Sequence, residues 1–372
     1  MSSYFPTMKM KSRSNDEADD MYNVHGHVVN ISRMTVLESL RRIIKAKSAN
    51  QRDSLGIADF GTSDGRASFS LVKEMISIIH TEMGMGQDVL VYYNDQPMND
   101  FNLLSKVIQG EEYGSGLTYT STVYPVIIPR TMYGQCLPDH SLDLSISAVA
   151  THYLSKKVCQ IQNGVFMVEA DDSEQTLIRE QGKIDWRNFV ISRGRELKPG
   201  GFLITMNLSS DDNGSQPMNV HKGVPLLGSL VGDMVKEGKI AQEEYLATNQ
   251  HIHYQRTAAD FKEPFSSALP QIGELGLELV SVKSFKYYLK HPTFDIVNKD
   301  ETEKLEYSKA IVAAIYPWMY HTLYQGLSVS RAEEKKEKII DDYFSRLQKY
   351  AFEHSDHKPY VFYTEVVIHK RM

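Results

Sequence analysis

The residues best suited to chemistry sit at two strand-like ends. The run Asp59-Phe60-Gly61-Thr62-Ser63-Asp64-Gly65 ends the short apolar stretch 55–60 and precedes helical periodicity over 67–80. Glycines in such a turn let the backbone approach a ligand, and a strand-end acid can accept hydrogen bonds from an ammonium or a hydroxyl. The spacing is G-x-x-x-G, not the G-x-G-x-x-G of a pyrophosphate site, so a cofactor without phosphates is favoured over a dinucleotide. A second apolar run, 88–95, also ends in an acid, Asp95. Its two oxygens match the vicinal hydroxyls of a ribose, although a strand–loop junction also uses such an acid as a plain cap. The third feature, Pro199-Gly200-Gly201, is a reverse turn ahead of the apolar run 202–208.

These residues need a scaffold. Apolar positions at helical spacing over 34–47 and 67–80 alternate with short apolar runs at 55–61, 88–95, 121–128, 141–149 and 197–208. Such alternation predicts a doubly wound, largely parallel sheet covered by helices on both faces. From 209 the pattern changes to a turn-rich loop and helical stretches at 225–238, 241–248, 301–325 and 331–352. Strand-like runs return at 276–288 and 359–370. The expected layout is an α/β core over 21–208, a helical cap over 209–275 and 289–330, and a return to the sheet at 276–288 and 331–372. Residues 1–20, alternately basic and acidic, read as a solvated tail.

Composition narrows the class. Hydrophobic residues make up 41% and charged residues 24% of the 372, ordinary for a globular chain. A net charge of -6 argues against a general nucleic-acid binder, which needs a basic face. Cys136 and Cys159 alone cannot build a disulfide framework, and they suit a reducing cytoplasm. No apolar run approaches the length of a membrane span, and no secretory signal opens the chain.

The order of Gly-containing turn, second acid and PGG strand resembles the class I, Rossmann-like methyltransferases. A closer resemblance lies in Asn94-Asp95-Gln96-Pro97-Met98-Asn99-Asp100-Phe101-Asn102, which is similar to the N-D-L-P-x-N-D-F-N signature of the SABATH methyltransferases. IADFGTSDG (57–65), Tyr133-Gly134 with Leu137-Pro138, ISAVATHYLSKKV (146–158), SRGRELKPGGFLITM (192–206) and DMVKEGKI (233–240) extend the likeness over roughly 21–370. The resemblance implies S-adenosyl-L-methionine as cofactor, a small-molecule methyl acceptor, first of all a carboxylic acid converted to its methyl ester, and a homodimer. It implies that Asp95 holds the ribose, with Gln96 beside the adenosine and Thr131 and Met132 flanking the adenine. Asp59, Gly61 and Thr62 would line the methionine end, with Ser147 and Tyr22 also facing the cofactor.

The departures fall on the acceptor side. Where the family has a Ser and a Gln after its Tyr, this chain has Gly26 and Val29, and where the family has a Trp that donates to the acceptor carboxylate it has Tyr153. A phenol still offers one donor. Val29, His152, Tyr153 and Tyr254 are therefore the expected acceptor contacts. A carboxylate acceptor needs no base; a phenol, thiol or ring nitrogen would need one, for which His152 is the candidate, its alternative being an imidazole that only shapes the pocket. His251 and His253 could line the cap. No metal is expected, and Asp260-Phe261 reads as a helix start. Two other readings stay open: transfer to nitrogen, sulfur or a phenol, and a non-catalytic protein that keeps the fold.

Overall fold

The computed structural model describes residues 24–47, 53–110, 122–211, 218–219, 223–248, 253–267 and 269–372. The proposed tail, Tyr22 and His251 lie outside them. The sheet is built from β1 (Leu55–Phe60), β2 (Val89–Asp95), β3 (Val123–Pro129), β4 (Leu142–Ala148), β5 (Leu197–Leu208), β6 (Met218–Asn219), β7 (Leu277–Tyr288) and β8 (Tyr360–Lys370). Its order is β3-β2-β1-β4-β5-β8, with β7 on the far side of β8 and the two-residue β6 beside the start of β8. Strands β1 to β5 pair in parallel, and β8 runs antiparallel to β5 and β7. The chain moves outward from β1 to β3 and then crosses back to β4, which opens a crevice at the carboxyl ends of β1 and β4.

Strand β1 is buried along its whole length, as a central parallel strand must be. Its side chains alternate between two cores. Leu55 and Ile57 meet α1 (Val24–Ala46), α2 (Arg66–Met83) and α3 (Phe101–Gln109), whereas Ala58 and Phe60 meet α4 (Asp172–Glu196) together with Phe261 and Ile272. Helix α4 starts on a reciprocal cap between Asp171 and Glu174, and α3 on Asp100, whose carboxylate accepts the Leu103 N–H at 3.1 Å.

Helix α1 begins ten residues earlier than its periodicity suggests. Its first stretch holds Gly26 and several β-branched residues, a weak helix by propensity that packing of Val28 and Val29 into the core sustains. The other end of α1 is pinned where Lys47 pairs with Asp143 at the start of β4, at 2.9 Å. A 23-residue helix spans roughly 35 Å, so the segment holding Val29 comes to the carboxyl ends of the strands.

The cap differs from the expected boundaries in two places. Helix α10 (Glu333–Glu353) packs on α9 (Glu301–Gly326) and α5 (Val224–Lys236), and the Tyr343 hydroxyl donates to Leu227 O at 3.1 Å. It therefore packs with the helices assigned to the cap, and within 331–372 only β8 joins the sheet. Helices α7 (Ala258–Ser266) and α8 (Pro270–Glu274) pack instead against β7 and α4 and cover the core, leaving α6 (Gln242–Thr248) with the cap. An amphipathic stripe shows that a helix is buried but not which partner buries it. Among the described residues no helix is long and apolar enough to cross a membrane.

Candidate active site

The turn after β1 is shaped by what it must approach. Gly61 has φ 75°, and a Cβ placed there would lie 2.3 Å from the Ala150 Cβ and 3.7 Å from the Met132 sulfur. Glycine alone lets three segments converge: the β1 turn, the chain leaving β4, and the 131–137 loop. The amides of Gly61 and Thr62 both donate to Asn94 O, at 2.9 and 3.0 Å, which ties the turn to the end of β2.

Asp95 stands beside that tie. Its Oδ2 accepts the Ser63 amide at 2.6 Å and its Oδ1 the Gln96 amide at 2.7 Å, fixing the carboxylate while each oxygen keeps a further lone pair. Burial pushes its carboxyl up to about 6 against these two amide donors, and the charges of Asp59 and Asp64 add to the shift. Asp59 is raised too, by burial, although the Ser68 hydroxyl donates to it at 2.5 Å. The Asn99 side chain donates to Ser63 O at 2.7 Å and closes the turn from the α3 side.

The 131–137 loop is held from beneath by a buried ion pair. Arg193 and Glu196 are paired at 2.7 Å with both side chains fully buried. Arg193 donates to Met132 O at 2.6 Å and Gly134 O at 2.9 Å, and Glu196 accepts the amides of Cys136 and Leu137 at 2.5 and 3.1 Å. Thr131 is thereby left exposed and Met132 half-buried next to Gly61. Ser147 is buried and its hydroxyl donates to Phe60 O at 2.8 Å, so it joins β4 to β1.

Across the crevice the chain leaves β4 through Val149, a β-branched residue at φ 52°. Such a conformation costs energy and persists only when its surroundings enforce it. Here the Val149 amide donates to Met206 O at 2.7 Å. The segment that follows is clamped from four sides. Thr151 donates to Asn207 Oδ1 at 2.6 Å, and its carbonyl accepts Arg256 at 2.5 Å and the Tyr133 hydroxyl at 3.2 Å. Tyr133 also donates to Tyr153 O, Tyr254 N–H donates to His152 O at 2.8 Å, and Asp185 accepts the amide and hydroxyl of Ser155.

This clamp presents three rings together. His152 and Tyr153 have ring centres 4.3 Å apart, and the His253 ring lies 5.2 Å from His152 and 4.6 Å from Tyr153, perpendicular to both. Burial holds the Tyr153 phenol well above its ordinary range, and the charge of Asp95 adds to it, so the phenol remains a donor.

Tyr254 does not join them. Its ring packs against Gly182 and its hydroxyl donates to Asp260 at 2.9 Å, beside the α7 cap that Asp260 forms with Thr257. Val29, only 2% exposed, sits in the apolar core at the cleft end and offers no donor. Of the two neighbours named from the sequence, Tyr254 as an acceptor contact and His253 as a residue of the cap, it is His253 that packs on the Tyr153 ring. The sequence reading passes over Arg193, Glu196 and Arg256, which act through backbone atoms remote in sequence. Among the described residues no group of three or more His, Cys, Asp and Glu could hold a metal ion.

The parallel order β3-β2-β1-β4-β5, the glycine cradle after β1 and the acid closing β2 define a Rossmann-like methyltransferase that uses S-adenosylmethionine. The cradle fits that cofactor: Asp95 keeps acceptor capacity for a diol, and Gly61 leaves the space that a Cβ would fill. More narrowly, the chain belongs to the SAM-dependent carboxyl methyltransferases, whose family profile matches residues 22–369. It is 22% identical to the jasmonate O-methyltransferase of Arabidopsis thaliana over 86% of this chain and 89% of that one. A Fusarium methyltransferase is 26% identical over 67% of this chain and 66% of its own length. Loganic acid methyltransferase, solved with SAH, shares the fold at a TM-score of 0.67 and 18% identity, covering 97% of this chain and 98% of that one.

Proposed function

We propose that the protein transfers a methyl group from S-adenosylmethionine to the carboxylate of a small organic acid, giving a methyl ester. The observation that carries this reading is the convergence of two unlike walls: the Gly61 turn abuts Ala150, three residues before Tyr153, and the charge of Asp95 reaches the Tyr153 phenol. A carboxylate-bearing glycine cradle stands on one side of the crevice, and the ring cluster of His152, Tyr153 and His253 on the other. When bound, S-adenosylmethionine supplies a sulfonium-activated methyl group.

The protein's task is then placement. Asp95 takes the ribose hydroxyls, Asp59, Gly61 and Thr62 line the methionine end, Gln96 lies by the adenosine, and Thr131 and Met132 flank the adenine. Tyr153 donates to the acceptor. Holding donor and acceptor in near-attack geometry is worth up to roughly 7–11 kcal/mol. A carboxylate is already ionised at neutral pH, so no proton moves and His152 only orients and encloses. That jasmonate and loganic acid methyltransferases are similar proteins supports an acid. One feature favours a second reading, transfer to nitrogen, sulfur or a phenol: Val29 offers no donor at the cleft end of α1, whereas His152 offers a base. The family likeness and two unbridged cysteines support a cytoplasmic homodimer as the setting.

The test is a transfer assay with methyl-labelled cofactor and jasmonic, loganic, benzoic and salicylic acids together with amine, thiol and phenol acceptors. Label released as methanol by mild alkali marks an ester and is the expected result. Label retained only in alkali-stable amines, thioethers or aryl ethers overturns the carboxylate reading.

A further inference from the structure

The placement of His253 follows from backbone pairing. Tyr153 and His253 form an isolated antiparallel bridge, and the residue after His253 is tied to the residue before Tyr153: Tyr254 N–H donates to His152 O at 2.8 Å. Bridge partners put their side chains on the same face, and the next residue points to the other. Tyr254 is therefore turned onto Gly182 and Asp260, while His253 is turned onto the Tyr153 ring. Asp185, Arg256 and Tyr133 fix the backbone around this pair, so the placement does not depend on the rings themselves.

A carboxylate presents two oxygens with about four lone-pair directions. Tyr153 can satisfy one of them with its single O–H. Val29 satisfies none. The imidazole of His253, half-buried and within 4.6 Å of the Tyr153 ring centre, is the next donor along the same wall. We propose that His253 is a specificity-determining residue that donates a ring N–H to the acceptor's carboxylate, forming with the Tyr153 hydroxyl a two-donor reader. This rests on the acid reading above and adds to it the residue that selects the acid. His253 makes and breaks no bond in the transfer; the carboxylate carries its full charge in the bound state and loses it as the methyl arrives, so the loss of His253 raises KM without lowering kcat.

The experiment compares His253→Ala, His253→Phe and His253→Gln with the unaltered protein, using the acids and other acceptors of the labelled-cofactor screen. S-adenosylhomocysteine titration reports on folding and on the cofactor wall. With an acid as acceptor, Ala and Phe are expected to raise KM about tenfold or more, with kcat not lowered and S-adenosylhomocysteine affinity unchanged, as for a lost hydrogen bond to a charged group. Gln, which keeps a donor, is expected to recover most of the loss. KM within twofold of the unaltered protein in all three variants overturns the role of His253 and leaves the acid reading standing. Phe matching the unaltered protein while Ala does not shows ring packing only, and also overturns it. Transfer solely to acceptors without a carboxylate overturns the acid reading, and the donor role with it.

Discussion

The two walls of the crevice are built by opposite strategies. The cofactor wall is local: Asp59 to Gly65 and Asn94 to Asn99 are two short segments at neighbouring strand ends, joined by amide-to-carbonyl and amide-to-carboxylate bonds. The acceptor wall is assembled from distant pieces: 149–155 after β4, Tyr133, Asp185 on α4, Asn207 on β5, and 253–256. A buried arginine holds the 131–137 loop, which joins the two walls through Met132 and Tyr133, and a second holds the acceptor wall. Arg193 is paired with Glu196, whereas Arg256 is hydrogen-bonded to the carbonyls of Thr151 and Gly182. A local wall can keep its geometry while the other changes, so one cofactor site can serve many acceptors.

Arg193→Met gives the largest expected effect. It leaves Glu196 buried without its partner, which costs about 3–5 kcal/mol of stability. Denaturant unfolding should show that loss, and S-adenosylhomocysteine affinity should fall as the 131–137 loop is freed. Arg256→Met should separate the walls. We expect kcat/KM to drop by about 1.5–3 kcal/mol, roughly 10- to 150-fold, with cofactor affinity unchanged. Equal losses in both quantities would erase the distinction between the walls.

The Asp95 carboxyl titrates at about 6 because burial disfavours its charge. Ribose hydroxyls bind the ionised form, so cofactor binding lowers that value and a proton competes with the cofactor. Affinity therefore levels off above about pH 7, is about halved at pH 6 and declines further below it, approaching about tenfold per pH unit. Titrations at pH 5 and 7.5 check this, and Asp95→Asn should abolish the difference. The smallest effect belongs to Tyr254→Phe, which removes the hydroxyl bond to Asp260. It should cost about 0.5–1.5 kcal/mol of stability and leave KM for the acceptor unchanged.

The contrast between the walls also explains what could be read from the sequence. A strand ending in an acid and a glycine is a local pattern, so Asp59, Gly61 and Asp95 are legible without a partner in view. The largely parallel sheet follows from alternation in the same way. The bridge between Tyr153 and His253 joins residues a hundred positions apart through one residue pair, with no periodicity to announce it. A shift of one residue along a strand reverses the face, so a resemblance that brings Tyr254 near the pocket does not tell which of Tyr254 and His253 turns toward Tyr153. Helix α10 repeats the lesson at larger scale, since its stripe is visible but its partner, α9, is set by the topology.

The central claim is that Asp95 holds the cofactor's ribose at the end of β2. Calorimetric titration of the unaltered protein and Asp95→Ala with S-adenosylmethionine at pH 7.5 tests it most directly. Saturable binding by the unaltered protein, weakened by about 1–3 kcal/mol in the variant, is the expected result. Equal affinities, or no binding by the unaltered protein at millimolar cofactor, would contradict it.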